Sequence, residues 1–240
     1  MHRTLSTVLC GLSTLAAVAE PVWVGRFEGG AAGWRDVSLS KSLTPTRYVL
    51  RDWDGVAAIE ARAERSMSLY ARPLTLDLAA TPMLCWRWRV DAPLVKADLA
   101  TKAGDDYAAR VYVSFTLPPE RIDFGTRLQL GVARKIWGDV VPDAALNYVW
   151  DNRYPVGTVR PNAYTDRTRM LVLQSGAQRA GAWVSERRDL AADVEAAFGA
   201  GARPSQLAVA SDTDNTGESA RAGFADFHFV ARDAACAFPT

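Results

Sequence analysis

Histidine is nearly missing from this 240-residue chain: there are two, His2 close to the N-terminus and His228 near the other end. With three cysteines and no C-x-x-C pair, the chain lacks the ligand spacing of a zinc site. A Ser–His–Asp triad would have to use His228, which sits beside Asp226 but alternates with Phe227 and Phe229 as a packed strand residue does. No G-x-S-x-G elbow occurs, because Ser175-Gly176 lacks the first glycine. No glycine-rich loop is present to cradle a phosphate. Neither sign of charge is in excess: 28 Lys and Arg stand against 27 Asp and Glu, and loss of Arg3 with a leader makes them equal. That balance gives no electrostatic reason to expect nucleic acid or an anionic membrane as partner. No apolar run reaches the roughly 20 residues that a membrane-spanning helix needs.

What is present begins with a leader. His2 and Arg3 form a short positive region, residues 5–17 carry no charge, and Ala17-Val18-Ala19 is a small-residue cleavage site. The chain is therefore expected to be exported, to the periplasm, with residues 1–19 as signal peptide and 20–240 as one domain. Bulky Val8 and Leu9 do not suit a lipoprotein cleavage site, so Cys10 leaves with the leader. Cys85 and Cys236 remain. In an exported protein they can pair across a long loop. Alternatively, Cys85 is a small buried hydrophobe and Cys236 a free thiol near the tail.

The mature chain reads as many short strands separated by turn signals. Asp54-Gly55 lies between two alternating runs, the pattern of a hairpin. In Leu84-Cys85-Trp86-Arg87-Trp88-Arg89-Val90 the tryptophans point one way and the arginines the other. In the stretch from Arg110 to Leu117, Val111, Val113 and Phe115 share a face opposite Arg110, Tyr112 and Ser114. Residues 127–132 also alternate, with Leu128, Leu130 and Val132 expected inward on a strand. One helix is expected, near 189–198: Asp189 caps its start, Leu190, Val194 and Phe198 form its apolar stripe, and Gly199 suits its end. These elements predict an all-β fold, a jelly-roll or concanavalin-like β-sandwich with one short helix.

The order of motifs is that of a known family. WRWRV, GDDYAARVYVSF, NYVW, LQSG, a W-x-x-x-R segment leading to a helix that ends in FG, and SDTDNTG follow one another over about Trp34 to Phe229. This series resembles the bacterial domain of unknown function 3047. The resemblance implies an exported protein with a jelly-roll-like sandwich similar to carbohydrate-binding modules, and it implies no particular activity.

Three groups of residues are candidates for ligand binding. Asp105, Asp106 and Arg110 lie at the start of one strand, either as an ion-paired strand end or as ligands for a substrate or cation. Asp212, Asp214 and Asn215 form a compact oxygen-rich loop. It lacks the glutamate of an EF-hand, which leaves an Asx turn or a looser Ca²⁺ site that uses backbone carbonyls. Arg87 and Arg89 together with Arg110 and Tyr112 are expected to line one concave face, suited to sugar hydroxyls or acidic sugars. Trp150, beside Tyr148, either stacks on a sugar or fills the core. No cofactor or metal ligand is assigned beyond that open Ca²⁺ possibility. The resulting expectation is non-catalytic binding of a glycan or another cell-envelope component. The alternatives are a glycan-cleaving enzyme using two of Asp105, Asp106, Asp212 and Asp214, and an envelope interaction or assembly protein without a small-molecule site. Whether the two aspartate motifs meet in space decides how these compare.

Overall fold

The alternation in the Trp-Arg-Trp-Arg strand becomes the spine of the core. In the computed structural model, which describes residues 20–38, 40–137 and 141–239, Trp86 and Trp88 are fully buried and meet edge to face at 5.7 Å between ring centroids. The expected leader lies outside the described residues. The elements in chain order are β1 (Val22–Gly25), β2 (Arg35–Val37), β3 (Arg47–Trp53), β4 (Val56–Glu64), β5 (Leu69–Pro73), β6 (Met83–Val90), β7 (Tyr107–Thr116), α1 (Phe124–Trp137), β8 (Ala144–Asp151), β9 (Val159–Pro161), β10 (Thr168–Ser175), β11 (Val184–Asp189), α2 (Leu190–Phe198), β12 (Arg203–Asp212) and β13 (Ser219–Val230).

The strands form two sheets packed face to face, an all-β jelly-roll-like sandwich. One runs β11-β6-β13-β4-β3, with β1 also on β13; the other runs β2-β5-β12-β7-β8-β10-β9. Pairing is antiparallel except between β8 and β10. Trp86 and Trp88 cross the interior to Tyr148 and Trp150, at 5.4 and 5.8 Å. Such aromatic pairs each add about 1 kcal/mol to the area they bury. Val111, Val113 and Phe115 on β7 and Leu207 and Val209 on β12 fill the facing side. The Asp54-Gly55 hairpin forms as expected, with both residues at positive φ (56° and 76°), the geometry of a two-residue I′ turn.

α2 forms where expected, and the Asp189 side chain accepts the Ala192 backbone N–H at its start. Residues 127–132 are different: they lie in α1 rather than in a strand. Phe124, Leu128 and Val132 recur every four residues, and all three are exposed, while Leu130 is buried. Asp123 caps the start by accepting from the Thr126 backbone N–H at 3.0 Å. Leu128 and Val132 lie on one face of the helix and Leu130 on the opposite one, so the window matches period 2 alone, and the cap that signals a helix lies outside it.

Cys85 and Cys236 are bonded, closing a sequence separation of 151 residues. The C-terminal tail is laid over β6 and β13 on the outer face of the six-stranded sheet. His228 there accepts the Ala237 backbone N–H at Nε2, and Phe238 packs edge-on against its ring.

Candidate functional site

β7 and β12 are antiparallel neighbours, and Tyr107 stands opposite Asp212. That register alone brings together the two aspartate motifs, which are more than a hundred residues apart. A bulge in the pairing puts Tyr107 and Arg110 on one side of the sheet, where the Arg110 guanidinium lies 5.3 Å from the Tyr107 ring. Arg110 donates to the Asp212 carboxylate at 2.9 Å, with both side chains buried. Asp106, fully buried, accepts from the backbone N–H groups of Asn215 (3.3 Å) and Thr216 (2.6 Å) and from the Asn215 side chain (3.1 Å). Asp105 accepts from Asn162 Nδ2 at 2.8 Å and from the Tyr107 hydroxyl at 3.1 Å. Gly104 before the pair is required: a Cβ there would lie 2.6 Å from the Asp98 backbone nitrogen.

Asp105, Asp106, Arg110, Asp212, Asp214 and Asn215 therefore converge at one end of the seven-stranded sheet. Carboxylate oxygens of Asp106, Asp212 and Asp214 all lie within 4.8 Å of one another. Four carboxylates face a single guanidinium. Burial pushes the Asp212 carboxyl well above the usual range; Arg110 offsets part of that rise, and repulsion from Asp106, Asp105 and Asp214 adds to it. Asp214 is raised by burial and by Asp106. Burial alone would lower Arg110, but Asp212 and Asp105 outweigh it and hold the guanidinium charged.

The other candidates do not join this cluster. Arg87 and Arg89 were expected to share a face with Arg110 and Tyr112. They do not, because β6 and β7, although consecutive, belong to different sheets whose outer faces point apart. Arg87 pairs with the Asp226 carboxylate and donates to the Pro239 carbonyl beneath the tail. Arg89 is held by Asp54 and the Gly181 carbonyl, 4.3 Å from the Trp53 ring. Tyr112 stays near Arg110, 5.9 Å from its guanidinium, and shares a 3.4 Å contact with Thr168 Oγ1. Trp150 is a core residue, buried and donating to the Gly176 carbonyl at 3.0 Å. His228 forms no triad: its Nδ1 contacts the Asp226 backbone carbonyl, and the Asp226 carboxylate is taken by Arg87. Cys85, His228 and Cys236 are close enough to hold a metal, but both sulfurs are spent in the disulfide.

A second charged group escaped the sequence reading. On the outer face of the six-stranded sheet Arg47, Arg62 and Arg221 stand directly opposite one another on β3, β4 and β13. Like charges in such positions repel. Glu60, 1% exposed, lies two residues along β4 on the same face and accepts from Arg62 at 2.8 Å, from Arg51 at 3.1 Å, and from Arg221. Burial would raise the Glu60 carboxyl, but hydrogen bonds from Arg62, Arg221 and Arg51 prevail and hold it at about 2. The signal was available: a two-residue turn at Asp54-Gly55 fixes the hairpin register, and that register places Arg47 against Arg62. A shallow depression of about 530 Å³ borders this row, lined by Arg62, Glu64, Asp91, Ser219 and Arg221. A larger one, about 930 Å³, lies between residues 75–82, α2 and the start of β12. Neither touches the aspartate cluster.

A family model described as "Protein of unknown function (DUF3047)" matches residues 32–228. No curated protein matches the chain. Among solved structures, a family 30 carbohydrate-binding module is similar at 11% identity and a TM-score of 0.46, covering 92% of both chains. A family 11 carbohydrate-binding module from Clostridium thermocellum, in complex with a β-1,3-1,4-mixed-linked tetrasaccharide, is 7% identical with a TM-score of 0.42, covering 90% of this chain and 98% of its own. The xyloglucanase domain of NopAA from Sinorhizobium fredii, in complex with cellobiose, is 9% identical with a TM-score of 0.40, covering 84% and 99%. Among the described residues no helix is long and apolar enough to cross a membrane.

Proposed function

The chain belongs to the DUF3047 family, and from that premise we propose that it is an exported, non-catalytic binding protein for an acidic glycan or another anionic component of the cell envelope. The observation that carries this reading is the arginine row Arg47–Arg62–Arg221. Three arginines occupy directly paired positions on adjacent strands, where like charges repel, and one buried carboxylate, Glu60, orients Arg62 and Arg221. Arg62 donates Nε to Glu60, and its side chain is 52% exposed beside the depression. Planar guanidiniums held in this way suit bidentate hydrogen bonds to a carboxylate, sulfate or phosphate. Asp91 pairs with Arg221 at 3.1 Å, and Ser219 adds a polar contact for hydroxyls.

The aspartate cluster does not favour the cleaving alternative. Glycosidic carboxylates flank the bond they break and stand roughly 5 to 10 Å apart across a cleft. Here the oxygens crowd within 4.8 Å, and Asp106 and Asp212 are buried, which leaves no room for a sugar ring between them.

The test is affinity electrophoresis through polygalacturonate and through neutral dextran at low salt. Retardation by the acidic polymer alone, reduced at least tenfold in an Arg47→Ser/Arg62→Ser variant of unchanged melting temperature, is the expected outcome. Equal mobility in both polymers would remove the anionic-ligand reading.

A further inference from the structure

We propose that Asp106, Asp212 and Asp214 hold one Ca²⁺ ion at the end of the seven-stranded sheet. This inference is independent of the arginine row, which lies on the other sheet.

The acids alone would not carry it. What points to a cation is the hydrogen bonding they lack. Asp212 is 1% exposed; its Oδ2 takes the Arg110 guanidinium, and its Oδ1 has no donor among the described residues. Asp214 Oδ1 is likewise buried without a donor. A buried carboxylate oxygen without a donor carries the full desolvation cost of that atom, roughly 1 to 3 kcal/mol and more for a charged group. Two such oxygens belong to residues whose carboxylates reach within 4.8 Å of each other and of Asp106. Asp105, Asp106, Asp212 and Asp214 crowd beside one guanidinium, that of Arg110, which offsets only part of the repulsion among them. A divalent ion removes most of that repulsion.

Ion size and ligand type select calcium. Ca²⁺ binds oxygen at about 2.4 Å, so ligands on opposite sides of it stand up to about 4.8 Å apart. Mg²⁺ binds at about 2.1 Å, demands octahedral order and retains waters, which suits a buried, three-carboxylate site less well. The elements that would be joined are distant in sequence. Asp106 precedes β7, Asp212 ends β12, and Asp214 lies in the loop whose Thr213 exchanges hydrogen bonds with Ser66. The Asn215 and Thr216 backbone N–H groups already orient Asp106. The loop sequence D-T-D-N-T-G is thus half of a site, and the rest comes from the neighbouring strand.

The experiment uses the full chain treated with chelator and then titrated with CaCl₂ or MgCl₂. The melting temperature should rise by roughly 5–10 °C at about a hundredfold Ca²⁺ excess over Kd. Tb³⁺ should show emission sensitised by Tyr107 or Tyr164, displaced by Ca²⁺. Asp214→Asn, which breaks no side-chain contact among the described residues, should fold normally and bind Ca²⁺ at least tenfold more weakly. Arg62→Ser, on the other sheet, should bind Ca²⁺ as the parent does, which separates this site from the anionic-ligand reading. Absence of both the thermal shift and the Tb³⁺ emission, undiminished binding in Asp214→Asn, or equal stabilisation by Mg²⁺ would each overturn the assignment.

Discussion

Replacing Glu60 by glutamine should destabilise the protein and strengthen its hold on anions, and the opposite signs make the substitution diagnostic. A carboxyl held at about 2 instead of 4.5 represents about 3 kcal/mol of preference for the charged form, at ~1.4 kcal/mol for each tenfold in proton affinity. That figure is a ceiling. The arginine side chains around Glu60 are 37, 52 and 33% exposed, and water screens their outer sides, so ~2 kcal/mol is the better expectation. The melting temperature should fall by roughly 4–8 °C for a chain of this size. Glutamine keeps the shape and one acceptor but leaves Arg62 and Arg221 facing each other with less to separate them. Removal of one negative charge from the row should also tighten binding of a polyuronate by roughly two- to fivefold at low salt. The pH dependence follows from the lowered carboxyl. Its contribution to stability is complete above about 4.5 and disappears as pH falls towards about 2. Urea unfolding followed by tryptophan fluorescence at neutral pH and near pH 3 measures both limbs. The parent should lose more stability than Glu60→Gln over that acid interval. Equal stability of the two proteins, or weaker polyuronate binding by the variant, would refute the argument that Glu60 orders the arginines and weakens their field.

Reduction of Cys85–Cys236 opens a separation of 151 residues, for which chain entropy sets a ceiling near 5 kcal/mol; a measured loss of about 2–4 kcal/mol in urea is expected. An unchanged urea midpoint in reductant would mean that Arg87, His228 and Phe238 hold the tail without the bond. Trp150→Ala should cost about 3–5 kcal/mol as a core cavity, and the folded fraction should keep its polyuronate affinity; lost affinity at full stability would return Trp150 to the ligand surface. Gly223→Ala should cost about 1–3 kcal/mol by overpacking, because a Cβ there meets the Trp183 ring at 2.8 Å and the Trp53 ring at 3.1 Å. A variant as stable as the parent would show that these rings give way.

Much of the sandwich was legible because β6 and most of β7 obey period 2. Trp86, Trp88 and Val90 had to share a face, as did Val111, Val113 and Phe115, and both sets line the interior. What alternation does not encode is the sheet to which a strand belongs. β6 and β7 follow one another through a connector of sixteen residues, and nothing in WRWRV or ARVYVSF says that the chain crosses to the other layer between them. The expected arginine–tyrosine face failed for that reason alone. The aspartate motifs were visible as motifs, yet their meeting depends on pairing between β7 and β12, a contact set by the whole core. Glu60 was overlooked for a smaller reason: one acid in a run of alanines looks like an ordinary outward strand position until the hairpin register puts arginines around it.

The balanced charge of the chain is the reading that changes most in meaning. Equal numbers of acids and bases removed any electrostatic argument for a charged partner, but the balance is a sum over separate clusters of opposite sign. The arginine row lies on the outer face of the six-stranded sheet, with the Arg62 side chain half exposed, whereas Asp106 and Asp212 are buried at one end of the seven-stranded sheet. One sheet carries the arginine row and the other the aspartate cluster. They should respond differently to added salt. Exposed guanidiniums are screened, so polyuronate retention should fall steeply between about 50 and 300 mM NaCl. The aspartate oxygens are buried, so Ca²⁺ affinity should weaken far less over the same range. Parallel salt titrations of the two bindings measure this directly. Equal salt sensitivity would mean that the two ligands share one exposed surface, against the placement of Arg62 and Asp212 on opposite sheets.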